Sequence, residues 1–134
     1  MRMPPGGIVT VTRAMKDAVI ARDGGFCLLA LPGCLGEATT ADHRANRGQG
    51  GSKKGVLDHP ANLIAACTIC NGEKENATGQ LRLNLIQRGL RVEKAATNAQ
   101  TLERVKQTPV ECLDGGLFLL VSEHERVEVE WCDG

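Results

Sequence analysis

The sequence is poor in aromatic residues: among its 134 residues are Phe26, Phe118 and Trp131, and no tyrosine. Aromatic rings dominate the area buried in most cores, so a core here has to be built from aliphatic side chains and would benefit from an extra staple. Long apolar runs are lacking too. Uncharged stretches such as Phe26–Gly36 extend for about 11 residues, and Pro32 interrupts that one. A bilayer span takes roughly 20 apolar residues, so no membrane partner is expected. The opening Met1-Arg-Met-Pro-Pro-Gly-Gly has no apolar segment of the kind a secretory signal uses, which points to a cytoplasmic location. Internal repeats and low-complexity tracts are absent.

What is present suits one domain of ordinary size. Leu, Ile, Val and Phe number 32, above the range of intrinsically disordered chains. Net charge is zero, but the zero conceals an asymmetry. Residues 1–110 hold 15 basic and 9 acidic side chains, whereas residues 111–134 hold Arg126 against 7 acids. A basic body with an acidic end suits a polyanionic partner for the body, though the imbalance alone is a weak argument.

Six cysteines stand at 27, 34, 67, 70, 112 and 132. The Cys67-Thr-Ile-Cys70 spacing presents two thiolates to one ion, and Cys27 and Cys34 supply two more. Four sulfur ligands with no open position describe a structural zinc site, in which metal binding contributes directly to folding. Disulfides or unligated core cysteines are the alternatives. Cys112 and Cys132, in the acidic end, read as plain buried or free thiols.

Along the chain, Thr12–Asp23 has helical periodicity and stops at Gly24-Gly25. Ala38–His43 reads as a strand, Arg47–Gly55 as a flexible basic loop, and Asn62–Ala66 as a second strand running into the cysteine knuckle. A short helix is expected from Asn71. Gln80–Arg88 and Asn98–Gln107 look helical, the latter with Asn98 as N-cap. Val110–Leu113, Leu117–Val121 and Val127–Trp131 form a β-meander pattern with Val127, Val129 and Trp131 on one face.

The order of motifs between the cysteine pairs carries the chemistry. Asp42-His43-Arg44 ends one strand, Asn62-Leu63-Ile64 lies on the next, and Asn71-Gly-Glu-Lys74 opens the helix. Phosphodiester hydrolysis needs a general base near a water, a divalent cation and rigid positioning. A helix opening near Asn71 would also aim free N–H groups at a phosphate.

Asp42-His43, Asn62-Leu63 and Cys67-x-x-Cys70-Asn71-x-x-Lys74 resemble the HNH endonuclease motif, the ββα-metal nuclease fold, in its four-cysteine zinc variant. The resemblance covers about residues 22–77. It implies an α+β fold: a zinc-stabilised ββα core at 22–77, an N-terminal segment and helix at 1–21, a helical extension at 78–107 and an acidic β-meander at 108–134. It implies His43 as general base, Asn62 holding the His-bearing loop, and Asp42 and Asn71 ligating a catalytic Mg²⁺ or Mn²⁺, with Zn²⁺ held by Cys27, Cys34, Cys67 and Cys70. One general base per site implies nicking of double-stranded DNA. Neighbouring strand residues face opposite sides, so Asp42 and His43 can share a site only if the strand ends or kinks there.

Arg44, Arg47, Lys53, Lys54 and Lys74 are the expected phosphate contacts, with a solvated basic surface as the bland alternative. His59 reads as structural, His124 as part of a solvated turn, and Glu73 and Glu75 as a solvated helix face. Gly51-Ser52-Lys53 lacks the order of a phosphate-binding P-loop. Two other readings compete with the nuclease: a catalytically weak zinc module that binds nucleic acid or a protein, and a structural zinc protein docking through its acidic sheet. Small proteins similar to this one occur in phages and prophages, often beside the packaging terminase, which makes a terminase or another phage protein a candidate partner for that sheet inside a bacterial cell.

Overall fold

The fold comes from a computed structural model that describes residues 11–46 and 55–129. Expectations placed on Arg47, Lys53, Lys54, Trp131 and Cys132 lie outside the described residues. Within them the chain is α+β, with four helices and two small antiparallel sheets. No helix among the described residues is long and apolar enough to cross a membrane.

Helix α1 spans Arg13–Arg22, and the Thr12 hydroxyl caps it by accepting from the Met15 N–H at 3.1 Å. Strand β1, Thr40–His43, pairs with β2, Leu63–Ala66, setting Asp42 opposite Ile64 and His43 opposite Leu63. Two 3-10 turns, Val56–Asp58 and Pro60–Asn62, lead into β2. Asn62 therefore ends a turn rather than beginning the strand. Helices α2 (Thr68–Glu75), α3 (Gly79–Gln87) and α4 (Asn98–Gln107) follow, then β3 (Val110–Glu111), β4 (Leu117–Leu120) and β5 (Arg126–Glu128) as a three-stranded meander.

Two helix starts differ from the sequence reading. Helix α2 begins at Thr68, three residues before Asn71, because the Cys67 sulfur acts as the cap and accepts from the Cys70 N–H at 3.4 Å. The Asn71 N–H is consequently engaged by the Cys67 carbonyl at 3.0 Å and is not free for a phosphate. Helix α4 is capped by Thr97, not Asn98. Thr97 and Gln100 bond reciprocally, side chain to backbone in both directions, which satisfies two otherwise open N–H groups.

One apolar cluster draws on the Cys27–Leu31 loop, β2, α2, α3, α4 and the meander, so the segments 22–77, 78–107 and 108–129 share a core. Its members are aliphatic residues and cysteines, with Phe118 packed against the edge. Phe26 is exposed, and Val127 lies on an exposed face of the meander.

Two buried arginines and a part-buried one fasten these parts together. Arg44 is 1% exposed and donates to four carbonyls: Gly89 at 2.8 Å, Ala61 at 2.9 Å, Val105 at 3.2 Å and Thr108 at 2.6 Å. Burial lowers its pKa to about 9, which leaves it cationic at neutral pH. Arg22 bonds Asp23, the carbonyls of Pro60 and Leu63, and the Ser122 carbonyl in the meander. Arg88 joins the carbonyls of Leu28 and Leu29 to Glu111. Gly89 completes the junction: its φ is +74°, and a Cβ there would lie 1.9 Å from the Pro109 carbonyl oxygen.

Arg44→Met should keep the side-chain volume while removing this donor from the carbonyls of Ala61, Gly89 and Thr108; Val105 keeps the Thr108 N–H. Each unsatisfied buried acceptor costs on the order of 1–3 kcal/mol, so a loss of at least about 3 kcal/mol is expected in urea unfolding. A loss under about 1 kcal/mol would show that the guanidinium is dispensable to the fold.

Candidate metal centre and candidate active site

The Cys27–Gly36 loop folds over the start of α2 and brings four sulfurs together. The ligand atoms of Cys27, Cys34, Cys67 and Cys70 all lie within 4.8 Å of one another, and Cys34 and Cys67 are 4.0 Å apart. A tetrahedral ion with metal–sulfur bonds of about 2.3 Å sets sulfurs about 3.8 Å apart, so the cluster has the right size. None of the four is in a disulfide. Backbone N–H groups aim at the sulfurs: Leu31 at Cys70, Leu35 at Cys67 and Gly36 at Cys34, at 3.3–3.5 Å. Burial raises the thiols of Cys27 and Cys70. Burial pushes Cys67 the same way, but the N–H groups of Leu35 and Cys70 outweigh it and bring that thiol down to about 6. These four cysteines could hold a structural zinc ion.

Strand β1 ends at His43, but the antiparallel pairing stays regular through it and one step beyond, the Arg44 N–H donating to the Asn62 carbonyl at 2.7 Å. Successive side chains therefore diverge. Asp42 is 6% exposed and faces Lys74 of α2, whose Nζ lies 2.6 Å from Asp42 Oδ2 and also donates to the His43 carbonyl. Burial raises the Asp42 pKa despite Lys74, and burial lowers that of Lys74. Asn71 stands one turn before Lys74 on the same side of α2, half-buried.

The His43 imidazole has a different neighbour. Its Nε2 lies 2.7 Å from Oδ1 of Asp58, which is 1% exposed on its side chain while His43 is 23% exposed. With the carboxylate accepting, Nε2 carries the proton and Nδ1 presents its lone pair. His43 lines a cleft of about 430 Å³ together with Val11, Thr12, Arg13, Lys16, Thr40 and Ala41. Asn62 is fully buried and ties together the chain on either side of residues 47–54. Its Oδ1 accepts from the Ala45 N–H at 2.8 Å, and its Nδ2 donates to the carbonyls of Ala45 at 3.0 Å and Leu57 at 2.8 Å. His59 caps the second 3-10 turn through Nδ1.

Several expectations need correction. Arg44 and Lys74 are not surface phosphate contacts: both are buried, the one among carbonyls and the other against Asp42. Asp42 and His43 do not converge, because the strand stays regular. A divalent ion at Asp42 does not fit this arrangement either, since one carboxylate oxygen is bonded to Lys74 and Mg²⁺ needs room for the waters it retains. Asp58 was missed because it lies 15 residues from His43 across the glycine-rich loop, with no motif spacing to connect them. Arg91 was missed as well. Its buried Nε has no hydrogen-bond partner, and its charge is felt by Lys74.

No protein-family model matches the chain, and no solved structure matches it. A stretch of 65 residues, 48% of the chain, is 37% identical to Gene 4 protein of Mycobacterium phage D29. The match spans 57% of that phage protein, less than two thirds of its length.

Lys74→Met should leave the Asp42 carboxylate buried and unpaired, at a cost of about 3–5 kcal/mol. The double variant Asp42→Leu/Lys74→Met should recover most of that loss in urea unfolding, because it removes both charges together. Additive losses in the two single variants would sink this account of the pair.

Proposed function

We propose that this chain is a DNA endonuclease of the HNH kind that nicks one strand per event, with His43 as general base and Zn²⁺ held by the four cysteines. The observation that supports it best is the His43–Asp58 pair, in which a buried carboxylate holds one nitrogen of an imidazole whose residue lines an open cleft. In this reading Nδ1 takes the proton of a water attacking phosphorus, the P–O3′ bond breaks to leave a 5′-phosphate, a solvent water protonates the departing 3′ oxygen, and Asp58 holds the imidazolium in place. Asn62 fixes the backbone on either side of the loop, which keeps His43 and Asp58 in register. No step is assigned to a divalent ion at Asp42 and Asn71, so dependence on Mg²⁺ or Mn²⁺ is a question for assay.

The phage relative supports a phage origin, and with it the possibility of a terminase or other phage protein docking on the acidic meander. The Asp42–Lys74 pair favours a second reading, a zinc module that binds nucleic acid without cutting it, because it occupies the carboxylate that a catalytic ion would use.

Supercoiled-plasmid nicking by zinc-loaded protein, with Mg²⁺, Mn²⁺ or neither, separates the two readings. The nuclease reading expects open circles from the wild type and a loss of at least about 10²-fold in His43→Ala. Asp58→Asn should lose at least about tenfold through the wrong tautomer and a less well held ring. Binding without nicking under any of these ions would hand the case to the second reading.

Zinc itself has a separate expectation. Elemental analysis should find one zinc per chain, and Cys70→Ser should lower both zinc content and thermal stability. A metal-free wild type that melts at the same temperature would remove zinc from the account.

A further inference from the structure

The cleft beside His43 has a second wall, the first turns of α1. Arg13 and Lys16 stand three residues apart on that helix, both line the cleft, and neither forms an ion pair among the described residues. Their position is unfavourable to the helix. They occupy the first and fourth helical positions, in the turn where the helix dipole already creates positive potential, and no acid stands in that first turn to offset it. Helices usually carry acids there. Two cations gathered at the positive end of a helix, facing an imidazole across about 430 Å³, make a concave site for an anion. The hydroxyl-bearing residues Thr12 and Thr40 line the same space.

The basic residues elsewhere in the described chain are largely committed. Arg22, Arg44, Arg88 and Lys74 hold the fold from inside, Arg82 pairs with Glu93, and Arg126 stacks on Phe118. The basic character of the body is therefore available at this cleft in a way that the residue count alone does not reveal.

We propose that α1 is the DNA-gripping element, with Arg13 and Lys16 binding a backbone phosphate of the strand presented to His43. This rests on the nuclease reading only in taking DNA as the substrate class; the binding site is defined by the cleft. The contacts are to phosphate, so they position the strand without reading its sequence.

The test is fluorescence-anisotropy titration of a labelled 20-bp duplex by the full chain without added divalent ion, over a series of salt concentrations. A gel confirms that the duplex stays intact. Arg13→Ala/Lys16→Ala should weaken binding about tenfold or more at low salt and reduce the salt slope by about 1, for the one phosphate the two side chains share. Arg13→Glu/Lys16→Glu should abolish binding. The control Lys94→Ala/Lys106→Ala removes the same charge from exposed positions outside the cleft and should change affinity less than about twofold. Thermal melting adds a second readout: removing two cations from a helix N-terminus should leave the melting temperature unchanged or raised. Equal weakening in the cleft variant and the control would overturn the proposal, as would a wild type that does not bind the duplex. Plasmid nicking judges the nuclease reading separately, so either can fall alone.

Discussion

The Arg44 guanidinium sits among carbonyl oxygens from the turn before β2, the end of α3, and the last turn of α4 with the residue that follows it. A cation that deep in a protein is tolerated only when its donors are satisfied, and here the satisfaction comes from three stretches far apart in sequence. The same residue also donates its backbone N–H to Asn62 and accepts from Val92 with its carbonyl. His43 precedes it immediately. The position of the imidazole is thus set by a buried charge on the next residue, and the helical extension after residue 78 serves the site by supplying the carbonyls.

This arrangement answers the shortage of aromatic rings. Aliphatic side chains fill the core, but they impose little directionality, and Leu or Val contacts tolerate sliding. Arg22, Arg44 and Arg88 impose it, each bridging segments distant in sequence through hydrogen bonds of fixed geometry. The sulfur cluster does the same for the Cys27–Gly36 loop and α2. Ordered contacts come from polar groups inside, while the apolar cluster supplies the bulk of the burial.

Much of this was legible from local pattern. Helical periodicity located α1, α3 and α4 to within a residue or two, and the spacing of Cys67 and Cys70 anticipated that four cysteines would meet. Local pattern failed where the deciding partner was remote. Nothing near Arg44 or Lys74 in sequence marks them as buried, because a basic side chain beside a glycine-rich loop looks like surface until its carbonyl or carboxylate partner is known. Asp58 carries no motif, and its role depends on the turn at Val56–Asp58 closing back on β1. The start of α2 was misplaced for a chemical reason: sulfur can cap a helix, and the usual capping residues bear oxygen or an amide. Thr97 outcompeted Asn98 because Gln100 could return the bond.

The alternation of β1 leaves the imidazole on one face and the carboxylate on the other, and Lys74 is the residue that joins the two. Its ammonium bonds Asp42 Oδ2 and the carbonyl of His43, so one side chain fixes both the Asp42 carboxylate and the backbone that carries the imidazole. An ion at Asp42 would have to displace that ammonium, and the displaced ammonium would release the end of β1 at the same moment. Displacement of that ammonium and the setting of the His43 backbone are therefore mechanically linked through Lys74. Arg91 bears on the same balance, since its positive charge disfavours the protonated form of Lys74.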